Sequence, residues 1–180
     1  MNSSACVKVL FSTDDIQKRV QEIADKLAVT PMNQLLVVAV LKGSFMFAAD
    51  LLRAMHRAGL SPHVEFIHLS SYRDSTVSSG QVDILKDVTS DVRGRDILLI
   101  DDILESGRTL AFAKDLLMAR GAQCVRTAVL LEKPEKRAVS IQADYVGFIC
   151  PDQFVVGYGM DVAHAYRELP FVGVIEQGNA

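Results

Sequence analysis

Seven consecutive apolar residues, Leu35-Leu36-Val37-Val38-Ala39-Val40-Leu41, constrain this chain more than any other stretch. A strand with one wet face alternates polar and apolar residues. A Val-rich run without alternation is buried on both faces and needs covering elements above and below. Ile97-Leu98-Leu99-Ile100 is a second such run, and residues 64–69 and 124–131 read as further strands. Helical patterns lie between them. Ile16, Val20, Ile23, Ala24 and Leu27 recur at helical spacing after Ser12-Thr13-Asp14-Asp15, which offers cap oxygens and acids to a helix start. Residues 45–58 and about 109–120 are two more candidate helices, with Gly59 and Gly121 placed as their stops. Val7 to Phe11 adds a short strand in front. The order strand, helix, strand, loop, strand, helix, strand specifies an α/β protein with a central, mostly parallel sheet flanked by helices on both faces.

At roughly 150 residues per domain, 180 residues make one domain the expectation. The core is expected over about residues 12–150. A small hood is expected from residues 1–11 and 151–180, since short, aromatic-punctuated runs in the last fifty residues fit a smaller lid. The apolar share of 49% and the charged share of 23% are those of a folded globular protein. A net charge of −3 gives no basis for sequence-independent nucleic-acid binding. Cys6, Cys124 and Cys150 are odd in number and form no C-x-x-C, so they read as buried thiols of a reducing compartment. Lys8 inside the first short apolar run argues against a signal peptide. The run of seven apolar residues is far short of the roughly 20 needed to cross a bilayer. A soluble, cytoplasmic protein without membrane or nucleic-acid partners is expected.

In parallel sheets, ligands sit beyond the carboxyl ends of the strands. That rule selects the turn at Lys42-Gly43-Ser44, the turn from Asp101 to Thr109, and the segment after Leu131. The second is the most informative. Ile97–Ile100 delivers two adjacent carboxylates, Asp101 and Asp102, to the sheet edge, followed by Ile103, Leu104, Glu105, Ser106, Gly107, Arg108 and Thr109. Buried carboxylates want cations or hydroxyl donors. Backbone N–H groups and two hydroxyls at a helix start suit a phosphate monoester. Together they describe a site for a phosphorylated sugar, whereas taken singly Asp101-Asp102 reads as a solvated pair and Ser106 as a helix cap.

This stretch resembles the PRPP-binding motif of the type I phosphoribosyltransferases, where PRPP is 5-phosphoribosyl 1-pyrophosphate. In that motif a hydrophobic strand leads into two acids, two aliphatics, an acid, Thr or Ser, Gly and a closing Thr, and every position is filled from Asp101 to Thr109. Residues 35–175 are similar to the 6-oxopurine, or hypoxanthine-guanine, branch. The resemblance implies a pyrophosphate loop at Leu41-Lys42-Gly43-Ser44, with a cis peptide before Lys42. It implies a mobile flap opening at Ser71-Tyr72, inside the polar stretch 71–92. Lys133 would donate to the 6-oxygen of the purine, a choice that disfavours the 6-amino group of adenine because an ammonium can only donate. In Phe154-Val155-Val156-Gly157-Tyr158-Gly159-Met160-Asp161, Phe154 would stack on the base, the Val155 backbone would bond its edge, and Asp161 would hold Mg²⁺. Arg167 would contact the leaving pyrophosphate. Each of these residues has an ordinary reading of its own: a helix-entry turn for Lys42, a surface loop for Ser71-Tyr72, a solvated basic loop for Lys133 with Lys136 and Arg137, core for Phe154, a turn for Asp161.

The implied reaction joins PRPP to hypoxanthine or guanine and releases pyrophosphate. Asp101 and Asp102 would hold the ribose hydroxyls and assist with Mg²⁺, while Glu105 would act as the base. A homodimer or homotetramer is implied, and the apolar surface over residues 45–55 could serve an interface. The chain departs from the pattern at Glu105, where the purine branch has Asp. Glu105 is then still the base, or it has slower chemistry, or it alters purine choice. Arg108 stands where Lys is usual. A xanthine-preferring enzyme and a non-catalytic PRPP sensor of the same fold remain the alternatives. The four histidines are scattered and suggest no zinc site, and no G-x-S-x-G is present.

Overall fold

The computed structural model describes residues 7–71 and 82–176. Tyr72, the second residue of the expected flap, and Cys6 lie outside the described residues. The central sheet has six strands: β2 (Leu36–Leu41), β3 (His63–Ser71), β4 (Val82–Lys86), β5 (Asp96–Leu104), β6 (Cys124–Glu132) and β7 (Tyr145–Ile149), in the order β4-β3-β2-β5-β6-β7. All neighbours pair parallel except β3 and β4, which are antiparallel. A separate three-stranded antiparallel sheet joins β1 (Val7–Phe11), β9 (Val172–Ile175) and the two-residue β8 (Val155–Val156), with β9 in the middle.

The two-sided burial expected of β2 and β5 is met. Leu36, Val38, Ile97 and Leu99 pack towards one side, and Val37, Ala39, Leu98 and Ile100 towards the other. Helices α1 (Thr13–Ala28) and α2 (Phe45–Arg57) cover the second side, and α3 (Arg108–Ala119) covers the first. The start of α1 is fixed by a capping box, in which Ser12 Oγ accepts from the Asp15 amide and the Asp15 carboxylate accepts from the Ser12 amide. Gly59 and Gly121 follow the last turns of α2 and α3 as expected.

Two strands depart from the sequence reading. Residues 82–86, placed in a continuous polar loop, form the edge strand β4. Their burial is slight, so they lack the apolar signature of the strands within the sheet. Residues 145–149, inside the expected core but not read as a strand, complete the central sheet as β7, where Gly147 lies against the Leu130 carbonyl. Cys124 is only partly buried, whereas Cys150 is fully enclosed. None of the helices described is long and apolar enough to cross a membrane.

Candidate active site

The carboxyl ends of β2, β5 and β6 meet along one edge of the sheet, and three glycine contacts decide how closely. Gly43, just beyond β2, lies against the Asp102 carboxylate, and a Cβ there would overlap Asp102 Oδ2. Gly159 lies on the Gly43 carbonyl with φ +98°, so a Cβ there would overlap main-chain oxygen. Gly107 sits at φ +82°, with Ile141, Val139 and Arg137 filling the space where a side chain would go. The segment after β8 is therefore stacked on the β2 turn, which is stacked on the β5 acids. Only glycine permits two such close approaches in series.

Strand β5 does not end before the acids, as the four-residue apolar run suggested. Ile103 and Leu104 continue its ladder opposite Leu131 and Glu132, so Asp101 and Asp102 belong to the strand itself. Asp101 is buried, and its Oδ1 accepts from the Asp102 amide at 3.0 Å. Asp102 Oδ1 accepts from the Ile103 amide at 2.9 Å. Burial, then the neighbouring Asp102 charge, pushes the Asp101 carboxyl well above the ordinary carboxylate range. Burial also raises Asp102, opposed by its hydrogen bonds and the charge of Arg167. Neither acid has a salt-bridge partner among the described residues, so this edge is built for donors or cations that arrive from outside.

Helix α3 begins at Arg108 with the left-handed Gly107 as its N-cap, and no side chain caps it. Ser106 Oγ accepts from the Arg108 amide at 3.4 Å, a long contact that leaves most of the first turn free for an anion. Arg108 is exposed and Thr109 partly buried. On the β6 side, Lys133 is 5% exposed, and its Nζ stands 3.4 Å from Glu105 Oε1. The buried Cys150 adjoins both charges, and burial raises its thiol pKa. The ordinary reading of Lys133 as part of a solvated basic loop does not hold. Lys136 and Arg137 do remain more open, Lys136 pairing with Asp152 at 3.2 Å.

The Leu41–Lys42 peptide is cis, and Lys42 is exposed. Ser71 closes β3 at the same end of the sheet. Phe154, which alone would read as core, is 58% exposed, while Val155 beside it is buried. Asp161 is already engaged: Oδ1 pairs with Arg167 Nη2 at 2.8 Å, and Oδ2 accepts from the His164 amide at 2.8 Å. Arg167 Nη1 also donates to the Gly159 carbonyl at 2.6 Å.

Three contributors escaped the sequence reading. Gly159 and Arg137 act through long-range contacts that no spacing reports. Tyr158 is the third. It is buried, and its hydroxyl donates to Asp50 Oδ2 on α2 at 2.6 Å, with burial and the Asp50 bond holding its pKa far up. Tyr158→Phe should cost about 0.5–1.5 kcal/mol, because Asp50 keeps Arg53 as a partner. A thermal melt should show a drop of a few degrees, and an unchanged midpoint would remove the bond from the stability account.

Among the described residues, no three His, Cys, Asp or Glu side chains gather into a metal site of their own. The donor set nevertheless fits Mg²⁺ carried in with a substrate, since that ion takes one or two carboxylates and completes its shell with phosphate oxygens and water. Asp101 and Asp102 offer such oxygens, whereas the Asp161 carboxylate is occupied by Arg167.

Buried Asp101 also bears on stability. Below about pH 3.9, the carboxyl pKa of an unfolded chain, both states are protonated and there is no penalty. As pH rises, the unfolded chain ionises first, and the native state loses ground until pH passes the raised native pKa. Asp101→Asn should therefore raise the melting point at pH 7–8 by the equivalent of roughly 0.5–2 kcal/mol. The gain should shrink towards pH 4. A melting point that is unchanged or lowered at neutral pH would contradict this assignment.

A model of the phosphoribosyl transferase domain matches residues 10–163. The chain belongs to the phosphoribosyltransferase family. Within that family it is similar to the hypoxanthine-guanine phosphoribosyltransferase of Bacillus subtilis, 45% identical over 170 residues that cover 94% of this chain and 93% of that one. It is 46% identical, over the same share of this chain, to the bifunctional protein TilS/HprT of Listeria innocua, of whose length it spans 26%. Among solved structures, the hypoxanthine phosphoribosyltransferase of Staphylococcus aureus superposes with a TM-score of 0.89 at 38% identity, covering 98% of this chain and 96% of that one.

Proposed function

We propose that this chain transfers the 5-phosphoribosyl group of PRPP to hypoxanthine or guanine, giving the nucleoside 5′-monophosphate and pyrophosphate. The observation that carries this reading is the juxtaposition at the end of β5. Buried Asp101 and half-buried Asp102, without salt-bridge partners among the described residues, adjoin an uncapped helix start on one side, and on the other a carboxylate within 3.4 Å of a buried ammonium. The first half suits a ribose 5-phosphate, and the second suits a base that offers an oxygen and loses a proton.

The 5′-phosphate sits on the first-turn amides of α3 with the hydroxyls of Ser106 and Thr109. Asp101 and Asp102 accept from the ribose hydroxyls, and their charge supports the oxocarbenium-like sugar as the bond to pyrophosphate breaks. Lys133 donates to the 6-oxygen of the purine. Phe154 offers its exposed ring to the base, and the Val155 backbone its edge contacts. Glu105 takes the proton, at N7, as N9 attacks with inversion. Lys42, Gly43 and Arg167 face the departing pyrophosphate. Asp101 and Asp102 would hold Mg²⁺ bound with PRPP, which would supply charge neutralisation to the pyrophosphate, and Asp161, paired with Arg167, would be a further carboxylate for it. The small sheet of β1, β8 and β9 acts as the hood over the base. The working assembly is a homodimer or homotetramer in the cytoplasm.

Initial rates with Mg²⁺ and PRPP against hypoxanthine, guanine, xanthine, adenine and uracil test the proposal. Turnover of hypoxanthine and guanine is expected. A preference for xanthine would reassign the branch, and PRPP binding with no turnover of any base would make the chain a sensor.

A further inference from the structure

Glu105 is held from both of its ends by cations four residues apart. Its Oε1 stands 3.4 Å from Lys133 Nζ, and its main-chain carbonyl accepts from Arg137 Nη1 at 3.1 Å. The other arm of the same guanidinium donates to Glu132 Oε1 at 2.6 Å. The side chains of Arg137 and Glu132 are 18% and 17% exposed, so this is no solvent-screened surface pair. Glu132 is the last residue of β6, and its carbonyl accepts from the Cys150 amide at 2.8 Å. A guanidinium presents its donors in a rigid planar fork. The fork therefore transmits the position of a fixed strand end to the main chain of a loop.

We infer that Arg137 is a positioning residue. It ties the Glu105 backbone to the end of β6, so that the Glu105 carboxylate is presented at the purine edge beside Lys133. The inference rests on the reading above that Glu105 is the base. An acid one methylene longer than aspartate can be accommodated by shifting the loop or by folding the side chain. The amides of Ala138 and Val139, which donate to the Ser106 carbonyl at 2.9 and 3.3 Å, join the Arg137 fork in opposing the first. The carboxylate meets Lys133 instead, with Oε1 3.4 Å from Nζ. Arg137 itself needs no contact with either substrate.

The full chain is compared with Arg137→Met, Arg137→Lys and Glu132→Gln, each alone and combined with Glu105→Gln. Arg137→Met should lower kcat with hypoxanthine on the order of 10- to 100-fold, the cost of a displacement of about 1 Å at a reacting group. The KM for PRPP should stay within about threefold, because the phosphate loop keeps its Ala138 and Val139 bonds. Arg137→Lys should recover little, since one ammonium cannot span both acceptors. In the Glu105→Gln background, Arg137→Met should cost less than about twofold, as residues acting through one group are non-additive. Amide exchange over residues 104–108 should quicken in Arg137→Met. Equal losses in both backgrounds, full recovery by lysine, or unchanged exchange would overturn the positioning role while leaving Glu105 as the base. A wild-type chain that turns over neither purine would overturn the base and the positioning role together. Should Arg137→Met fail to fold, Glu132→Gln carries the same cycle, with a smaller loss of kcat that disappears when Glu105 is Gln.

Discussion

Glu105→Gln is expected to lower turnover with hypoxanthine by roughly 10²–10⁴ while PRPP binding is retained. Glutamine keeps the volume of the side chain and a carbonyl oxygen for the Lys133 ammonium, which stands 3.4 Å from Glu105 Oε1 in the native chain. What it loses is the ability to take a proton. Asp101, Asp102 and the start of α3, proposed to hold the ribose phosphate, are untouched by the exchange, so the loss should fall on kcat and spare the KM for PRPP. Initial rates and a PRPP titration measure both quantities, and an unchanged turnover number would remove Glu105 from proton transfer. Glu105→Asp then separates the readings of the longer arm. A faster Asp variant assigns slower chemistry to the native glutamate, and a changed ratio of guanine to hypoxanthine turnover assigns it a part in purine choice.

Gly159→Ala should be nearly as damaging, for a different reason. A methyl group there meets the Gly43 carbonyl, main chain with no rotamer to move, at a backbone φ of +98° that L residues rarely adopt. The strain should destabilise the fold by about 1–3 kcal/mol. The displaced Gly43 turn should lower kcat/KM for PRPP on the order of 100-fold, because the same turn touches the Asp102 carboxylate. Gly59→Ala is the control. Its φ is +86°, but nothing lies within 4 Å of the added carbon, so it should lower the melting point and leave the kinetics alone. Equal kinetic losses in the two variants would mean that the stacking of Gly159 on Gly43 has no part in placing the Lys42-Gly43 turn for catalysis.

The interior of the fold was legible in the sequence because strands covered on both faces leave continuous apolar runs. Leu36–Leu41 was read to within one residue. The span of β5 was too short because its last residues include two carboxylates, and charge masks a strand whose pairing continues through Ile103 and Leu104. Edge strands carried less signal. Val82–Lys86 is mostly wet and Tyr145–Ile149 is interrupted by glycine, so each was absorbed into a neighbouring irregular stretch. For the candidate site, the turn after β5 could be read because its residue types are contiguous. The Arg137 fork and the Gly159–Gly43–Asp102 stack could not, since each depends on segments tens of residues apart whose contact exists only after folding.

The small sheet has a consequence for how the molecule comes into being. Its middle strand, Val172–Ile175, is the last of the described strands, and it pairs on one side with Val7–Phe11, the first of them, and on the other with Val155–Val156. During synthesis the six-stranded sheet can assemble once residue 149 has emerged, because every strand it needs is then present. Val7–Phe11 must wait unpaired for about another 25 residues to be added. The strand that follows Phe154 is thus paired only when Val172–Ile175 arrives, and a nascent chain holds a folded core well before the small sheet is complete.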